Sequence, residues 1–343
     1  MDRVILLTDY KGRFFADKWA AVPYRSGLDK ERLVQHFTQA GFEVEFLSYP
    51  EVDLRTRSFE GENILYTSSE DPGLFYKSYV EDIIYGLELQ GARPIPPFKY
   101  LRAHHNKVFM EILRDLMPIP EVKNIRSRYF GTLEDVKQIN PVSPSEMVIK
   151  GSAGASSEAV CKASNGEQLV KWAKRLSRTR DWRYHMWDLG RSLRHRGYKR
   201  ESRHRKKFLV QNYVPGMSKD WKVLVFGRKY YVLERRPRKG DFRASGSGLI
   251  HYPDRLPNGL LDFAWRFFTE LDLPFLAMDV GFDGSQFYLL EFQALYFGTH
   301  TLDTSPCYYG RQDAVWQKVE QVSQLEEVFV QSVADYLRLA RRA

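Results

Sequence analysis

The first hundred residues alternate short apolar runs with longer amphipathic stretches, and this order restricts the fold more than any other feature of the chain. The runs at 4–7, 44–47 and 64–67 have the length of strands, and the stretches at 29–40 and 74–89 have the length of helices. Strands that alternate with helices build a mainly parallel sheet. The sequence therefore predicts an N-terminal α/β domain.

The sequence pattern and composition change after this domain. A chain of 343 residues suggests two or three domains, at roughly 150 residues each. The proline-rich segment 91–97 has the composition of a linker, and a final helix is predicted at 314–342. We expect an N-terminal α/β domain at 1–100, a central or lid subdomain at 101–207 with a basic insertion at 171–207, and a C-terminal subdomain at 208–343.

Composition limits the class of protein. Hydrophobic residues make up 43% of the chain and charged residues 28%, which excludes a disordered chain. No apolar run approaches the roughly 18 residues of a bilayer-crossing helix, and the opening residues lack the length and flanks of a signal peptide. Cys161 and Cys307 have no zinc-site spacing. We therefore expect a cytoplasmic globular protein with no membrane partner.

A hairpin near the C-terminus carries two acids and an amide. Asp279 lies on one predicted strand, and Glu291 and Gln293 lie on the next, beyond a turn at Asp283-Gly284. Alternate residues of a strand share a face, and residues opposite each other in a hairpin are neighbours. Three oxygen ligands would then converge, as suits magnesium held between carboxylates and nucleotide phosphates. The alternative is a surface hairpin whose acids are solvated.

A second feature is a lysine at the end of a strand, followed by a run of small residues. Lys150 is followed by Gly151, Ser152, Gly154 and Ser156 within one short loop. A lysine next to exposed backbone N–H groups suits the close approach of a polyphosphate. The order of a P-loop, Gly-x-x-x-x-Gly-Lys-Ser, is absent. A flexible hairpin tip is the alternative.

These residues, together with others in the same order, resemble the ATP-grasp superfamily of carboxylate–amine ligases, of the glutamate-ligase and D-alanine-ligase type. The resemblance covers most of the chain from about residue 90 onward. The helix that starts at Asn106-Lys107 is similar to the family's first lysine element, and 208–214 is similar to its adenine-binding strand. Asp220-Trp221-Lys222 resembles the family's Asp-x-Arg, and Arg235 with Gly240-Asp241-Phe242-Arg243 resembles the pattern of members that add glutamate.

The resemblance implies an ATP-grasp fold with an N-terminal domain, a lid subdomain and a catalytic subdomain, and it implies ATP and Mg²⁺ as cofactors. It assigns the metal to Asp279, Glu291 and Gln293, where the third ligand is normally Asn. It assigns the acyl phosphate and the tetrahedral oxyanion to Arg235 and Arg243. The residues that it assigns to the nucleotide are Lys107, Lys150, Gly151, Ser152, Gly154, Ser156, Gln211, Asn212, Val214, Asp220 and Lys222.

The activity implied is an ATP-dependent ligase that forms an amide between a carboxylate and an amine. The acid is first phosphorylated to an acyl phosphate, which the amine then attacks, and ATP becomes ADP and phosphate. Small-molecule or peptide substrates of acidic character are expected. The alternatives are a nucleic-acid or polyanion-binding protein on an ATP-grasp scaffold, and an ATP-grasp-like kinase that stops at phosphoryl transfer.

The basic insertion concentrates the charge of the chain. Residues 171–207 hold 15 Lys and Arg against 3 Asp and Glu, whereas the whole chain has a net charge of +9. Aromatic residues, among them Trp182 and Trp187, lie between the cations. Three interpretations stay open: stacking on nucleic acid bases, recruitment of an acidic substrate by a lid insertion, and a helix whose aromatics pack inward while its charges face water.

Overall fold

The computed structural model of the protein describes residues 2–15, 26–139, 146–154 and 159–340. The chain divides into two compact units. The larger unit comprises Met1–His104 and Met217–Ala343, and the smaller unit comprises His105–Gly216. No helix in the described ranges is long and apolar enough to cross a bilayer.

The first part of the larger unit is an α/β layer structure. Its elements are β1 (Asp2–Thr8), α1 (Lys30–Gln39), β2 (Phe42–Ser48), a 3₁₀ helix (Tyr49–Glu51), β3 (Asn63–Tyr66), α2 (Phe75–Leu89), β4 (Arg93–Ile95) and α3 (Phe98–Ala103). The strands form a parallel sheet in the order β2-β1-β3-β4. The α/β prediction for this region is confirmed.

Both faces of this sheet are buried, which explains the continuous apolar run in β1. Val4 and Leu6 pack toward Leu33 of α1, whereas Ile5 and Leu7 pack on the opposite side, toward α2.

The predicted linker at 91–97 is wrong in part, because it contains β4. This strand tolerates its proline because β4 is an edge strand, where a missing N–H costs little.

The smaller unit is one antiparallel sheet with helices. Its elements are α4 (Lys107–Leu116), a 3₁₀ helix (Pro120–Lys123), β5 (Ser127–Phe130), α5 (Leu133–Ile139), β6 (Met147–Gly151), β7 (Val160–Ala163), α6 (Gly166–Leu176), α7 (Trp182–Arg194) and β8 (Phe208–Asn212). The strand order is β5-β8-β6-β7. One sheet face, including Ile149 and Phe208, packs with apolar residues of α5 and α6. The predicted boundary after residue 207 differs from this unit, because β8 pairs with β5 and β6.

The remainder of the larger unit is a seven-stranded antiparallel sheet with helices. Its elements are β9 (Asp220–Phe226), β10 (Lys229–Arg235), β11 (Ile250–His251), α8 (Leu260–Thr269), β12 (Phe275–Phe282), β13 (Phe287–Gln293), α9 (His300–Asp303), β14 (Tyr308–Gln312), β15 (Val315–Val319) and α10 (Leu325–Ala340). The order is β13-β12-β9-β10-β14-β15, and β11 pairs with β10. One face of the sheet packs on α8, where the rings of Phe267 and Phe292 are 5.3 Å apart.

The predicted helix at 314–342 is wrong in its first third. Val315–Val319 forms β15, which pairs with β14, and α10 begins only at Leu325. Trp316 explains the difference, because its ring packs edge-to-face on Tyr230 at 4.9 Å and its Nε1 donates to Asp262 at 2.9 Å. Such contacts between distant segments override local preference.

Candidate active site

Six predicted site residues of the larger unit share one face of the antiparallel sheet. Asp279 on β12 pairs directly with Glu291 on β13 and with Lys222 on β9. Asp220 lies two residues before Lys222 and pairs with Arg235 on β10. Gln293 lies two residues after Glu291, and alternate strand residues share a face. We call these six residues the strand group: Asp220, Lys222, Arg235, Asp279, Glu291 and Gln293.

The hairpin geometry predicted from the spacing of Asp279 and Glu291 is therefore confirmed. The pairing shifts between Asp279 and Val280, which pair with Glu291 and Leu289, so that β13 has one extra residue at Leu290. A bulge of this kind bends the strand and re-aims the next side chain. The side chain concerned is Glu291, one of the candidate metal ligands.

Ion pairs connect the strand group across three strands. The Arg235 guanidinium donates through Nε to Asp220 Oδ1 at 2.6 Å, and its Nη2 lies 2.9 Å from Asp279 Oδ2. Lys222 Nζ lies 3.8 Å from Asp279 Oδ1. Arg235 and Asp220 are buried, so their charges face each other with little screening by water.

Burial sets the protonation of this network. It raises the pKa of Asp220 to about 6, against the opposing effect of Arg235, and the nearby Asp279 carboxylate adds to the rise. Burial also acts to lower the pKa of Arg235, but the two carboxylates outweigh it and raise that pKa. Arg235 is therefore a permanent cation between two acids.

The same sheet face becomes apolar beyond the strand group. Leu224 and Phe226 on β9, and Phe275 and Ala277 on β12, continue the alternation and are buried in the core that includes α10. The rings of Phe275 and Phe329 stack at 5.2 Å. The strands that carry the charges are thus held by packed side chains at their other end.

The donor chemistry of the strand group fits a hard divalent cation. Asp279, Glu291 and Gln293 offer two carboxylates and one amide oxygen on neighbouring strands of one face, and oxygen ligands are those that Mg²⁺ takes. The two cations, Lys222 and Arg235, offset part of the negative charge. The residues present are therefore compatible with Mg²⁺.

Arg243 lies in the segment between β10 and β11. Its guanidinium forms a two-pronged ion pair with Asp241, with Nε to Oδ1 at 3.0 Å and Nη2 to Oδ2 at 2.9 Å. Hydrogen bonds from Arg243 lower the pKa of Asp241 to about 2. Bidentate pairing fixes the plane of a guanidinium, so Asp241 orients Arg243.

In the smaller unit, the start of α4 meets the small-residue loop. The backbone N–H of Lys107 donates to the Ser152 carbonyl at 2.8 Å, and Lys107 Nζ donates to the Gly154 carbonyl at 3.0 Å. Ser152 Oγ donates to Oδ1 of Asn106, the residue that caps α4, at 3.1 Å. Gly154 has a φ of +124°, a backbone conformation that L side chains rarely adopt. We call Lys107, Lys150, Gly151, Ser152 and Gly154 the loop group; the predicted Ser156 lies outside the described residues.

Lys107 occupies the first position of α4, where a cation opposes the helix dipole. The first N–H groups of α4 are paired in part, because those of Lys107 and Phe109 donate to Ser152 and Asn106. The position is therefore unfavourable for the helix itself, and the charge of Lys107 is compatible with an anionic ligand.

A buried polar cluster lies beside Lys150, and three of its members were not predicted. Ser127 Oγ donates to Glu111 Oε2 at 2.6 Å and accepts from Arg114 Nη2 and Gln211 Nε2, each at 2.9 Å. Arg114 also forms an ion pair with Glu111. Burial raises the pKa of Glu111, and Arg114 and Lys150 oppose the rise. The signal in the sequence is the spacing of Lys107, Glu111 and Arg114, which places them on one side of α4.

The other predicted nucleotide residues of the smaller unit have separate surroundings. Gln211 is buried in the polar cluster, whereas Asn212 is exposed and its Oδ1 accepts from the backbone N–H of Arg126 at 2.6 Å. Val214 is buried just beyond the end of β8. Gln211 and Asn212 thus occupy opposite faces of their strand.

The fold of this protein occurs in solved structures of other proteins. No protein-family model matches the chain, and no curated protein matches it by sequence. Solved structures do match over nearly their whole length. D-cycloserine synthetase DcsG superposes with a TM-score of 0.53 at 14% identity, covering 98% of this chain and 99% of that one.

Two further solved structures are similar to the same extent. An ATP-grasp RimK domain protein from Sphaerobacter thermophilus has a TM-score of 0.50 at 14% identity, covering 98% of this chain and 99% of its own. D-alanine–D-alanine ligase from Bacillus anthracis has a TM-score of 0.50 at 11% identity, covering 100% and 99%. The protein therefore has the ATP-grasp fold, as its resemblance to that superfamily predicts.

Proposed function

We propose that the protein is an ATP-dependent ligase that joins a carboxylate to an amine through an acyl phosphate. The observation that carries the proposal is the strand group, in which two acids and an amide suited to a cation lie on one sheet face with Lys222 and Arg235. The ATP-grasp fold and the loop group, whose lysines suit phosphate, support it. The names of two similar structures, a synthetase and a ligase of D-amino acids, favour acids and amines of amino-acid or peptide size.

The chemistry explains why such an enzyme uses ATP. A carboxylate does not react with an amine at neutral pH, so a carboxylate oxygen attacks the γ-phosphorus of ATP and ADP leaves. The amine nitrogen then attacks the acyl carbon, phosphate leaves, and the nitrogen loses a proton. Phosphoryl transfer is catalysed mainly by positioning and by charge stabilisation.

Each proposed residue has a role that follows from its charge and position. Lys107 and Lys150 bind the phosphates with their ammonium groups, since the backbone N–H groups of Gly151 and Ser152 already donate to the carbonyls of Ala159 and Lys207 at 2.9 and 3.2 Å. Arg235 stabilises the negative oxygens of the acyl phosphate, and its ion pairs with Asp220 and Asp279 fix its orientation. Arg243, oriented by Asp241, stabilises the tetrahedral oxyanion.

Asp279, Glu291 and Gln293 would hold Mg²⁺, which when bound neutralises charge on the β- and γ-phosphates. Arg235 and Lys222 already neutralise part of the Asp279 charge. We therefore expect the three residues to bind the cation weakly alone, and nucleotide oxygens to complete its ligand set.

The proposal is tested by the products formed from Mg-ATP. Purified protein is incubated with a pool of amino acids and acidic peptides, with hydroxylamine as a surrogate amine, and ADP and hydroxamates are measured. ADP release that requires the acid, together with an acyl hydroxamate, supports the ligase. A phosphorylated hydroxyl product would identify the kinase alternative instead, and no consumption of ATP with any pool would contradict both.

The substitution Glu291→Gln tests the metal assignment. It keeps the size of the side chain but removes one anionic ligand, so turnover should fall at least about 100-fold with the fold intact. Glu270→Gln, at an exposed position just after α8, is the matched control and should keep full activity. Equal turnover in the two variants at matched magnesium would refute the assignment.

A further inference from the structure

Helix α7 in the basic insertion buries two polar residues and exposes its largest apolar ones. Asp188 is fully buried and accepts from Tyr198 Oη at 2.8 Å and from Arg200 Nε at 3.2 Å, and His185 is also buried. A surface helix ordinarily does the reverse. The large apolar residues of α7 with high exposed fractions are Trp182 (68%), Met186 (59%), Trp187 (53%) and Leu193 (81%). The interpretation in which the aromatics of this segment pack inward is therefore wrong for Trp182 and Trp187.

The exposed side of α7 is divided lengthwise into two edges. An α-helix turns by about 100° per residue, so its side chains can be placed around the axis. The apolar edge consists of Trp182, Met186 and Leu193. The cationic edge consists of Arg183, Arg191 and Arg194, with Trp187 among them. The Arg191 guanidinium lies 3.5 Å from the centre of the Trp187 ring, which holds both side chains in place.

Gly190 lies between the two edges, on the exposed side. A Cβ at this position would meet no atom within 4 Å, so no packing in the described structure requires a glycine here. Glycine inside a helix is less favourable than alanine. The absence of a side chain does, however, let the backbone of a partner approach α7 closely.

We infer that this side of α7 docks an amphipathic helical peptide segment that is acidic along one side. Apolar residues of the partner would cover the apolar edge, Asp and Glu would pair with the cationic edge, and the partner backbone would pass over Gly190. Charge complementarity supports an acidic partner, because residues 171–207 carry 15 cations and 3 anions. A docked amphipathic helix would place its own apolar anchors, three and four positions apart, against the apolar edge.

Two other occupants fit these observations less well. Single-stranded nucleic acid would stack on the tryptophans, but it gives Met186 and Leu193 no apolar surface to pack against. An anionic membrane would accept the apolar edge and the arginines, but it makes no use of the space at Gly190. The inference does not depend on ligase activity, since binding at α7 is measured without ATP.

The first experiment is a selection from a displayed library of helical peptides with random surface positions. The purified full-length protein is the target, and a Trp182→Ser/Leu193→Ser variant is used for counter-selection. We expect enrichment of Asp and Glu beside apolar residues three and four positions apart. No enrichment, or enrichment of neutral or basic peptides, would overturn the inference.

The second experiment measures the affinity of one selected peptide by fluorescence anisotropy. Trp182→Ser/Leu193→Ser should weaken binding at least about tenfold, and added salt should weaken binding to the wild type. Gly190→Gln should weaken it similarly while leaving the thermal midpoint equal or higher, because glutamine is the better helix former. Leu339→Ser, at an exposed position of α10 (61%), is the control that should change nothing.

The competing occupants are tested with the same variants. An oligo-dT strand and vesicles of phosphatidylcholine with phosphatidylserine replace the peptide as probes. Binding of either probe that is stronger than the peptide and lost in Trp182→Ser/Leu193→Ser would overturn the inference in favour of that partner. Equal peptide binding by the wild type and this variant would also overturn it.

Discussion

The strand group and the loop group differ in how their positions are fixed. In the strand group, side chains stand on paired strands and are tied to one another, as by the 2.6 Å contact from Arg235 to Asp220. In the loop group, Lys107 and Ser152 are tied to backbone atoms at the start of a helix and in a loop. The strand group is therefore part of the stability of its sheet, whereas the role we propose for the charged end of Lys107 is in phosphate binding.

The largest expected effect comes from breaking the buried network of the strand group. Arg235→Leu leaves the carboxylates of Asp220 and Asp279 without their shared cation, and the free energy of unfolding should fall by about 3–5 kcal/mol. Arg236→Leu is the control next to it, because Arg236 is exposed and its pair with Glu234 should contribute less than about 1 kcal/mol. Urea unfolding without nucleotide measures both. Similar losses in the two variants would remove the distinction between the strand group and an ordinary surface pair.

A smaller effect, on binding rather than on stability, is expected from the loop group. Lys107→Ala and Lys150→Ala each remove a charge-assisted contact to phosphate, typically about 1.5–3 kcal/mol, so ATP should bind at least roughly tenfold more weakly. Lys137→Ala, on α5 of the same unit, should bind ATP like the wild type. Calorimetry measures the three affinities. Unchanged affinity in both site variants would refute the phosphate role.

The smallest effect concerns the pair that orients Arg243. The pKa of Asp241 is lowered to about 2, from about 3.9 in an unfolded chain. The stabilisation is therefore present above pH 4 and lost as the pH falls toward 2. Arg243 is partly exposed, so Asp241→Asn should cost no more than about 1 kcal/mol at pH 7. A difference from wild type that stays constant between pH 7 and pH 2.5, measured by urea unfolding, would contradict this ion pair.

The hairpin of the strand group could be predicted because its geometry is local. The turn at Asp283-Gly284 predicts that β12 and β13 pair, and Asp279 does pair with Glu291. The register that starts with Phe282 opposite Phe287 would, without a bulge, have paired Asp279 with Leu290 instead. The extra residue at Leu290 was not predictable, since a bulge leaves no mark in the apolar pattern. The alternation of strands and helices in the first hundred residues could also be predicted, because it follows from local sequence patterns.

Other features depend on contacts between distant residues. From the sequence alone, Pro94 argues against a strand, and only the sheet order shows that β4 is an edge strand that can contain it. Residues 315–319 likewise have a pattern that predicts a helix, and only the fold shows that Trp316 packs against Tyr230. The sequence pattern places Glu111 and Arg114 on the exposed side of a helix. Their burial depends on contacts with the cluster of Ser127 and Gln211, which are distant in the sequence. The roles of the site residues likewise stay predictions.

The larger unit is made of two separate segments of the chain, and this has a consequence for the order of folding. Its core joins Val4 and Leu33 near the beginning to Val333 near the end, and the backbone N–H of Asp29 donates to Glu326 at 3.0 Å. Contacts of such sequence separation form slowly. On the ribosome, the first sheet must wait for the last helix to cover one of its faces. The smaller unit, which is continuous in sequence, meets no such delay, and we expect it to fold first.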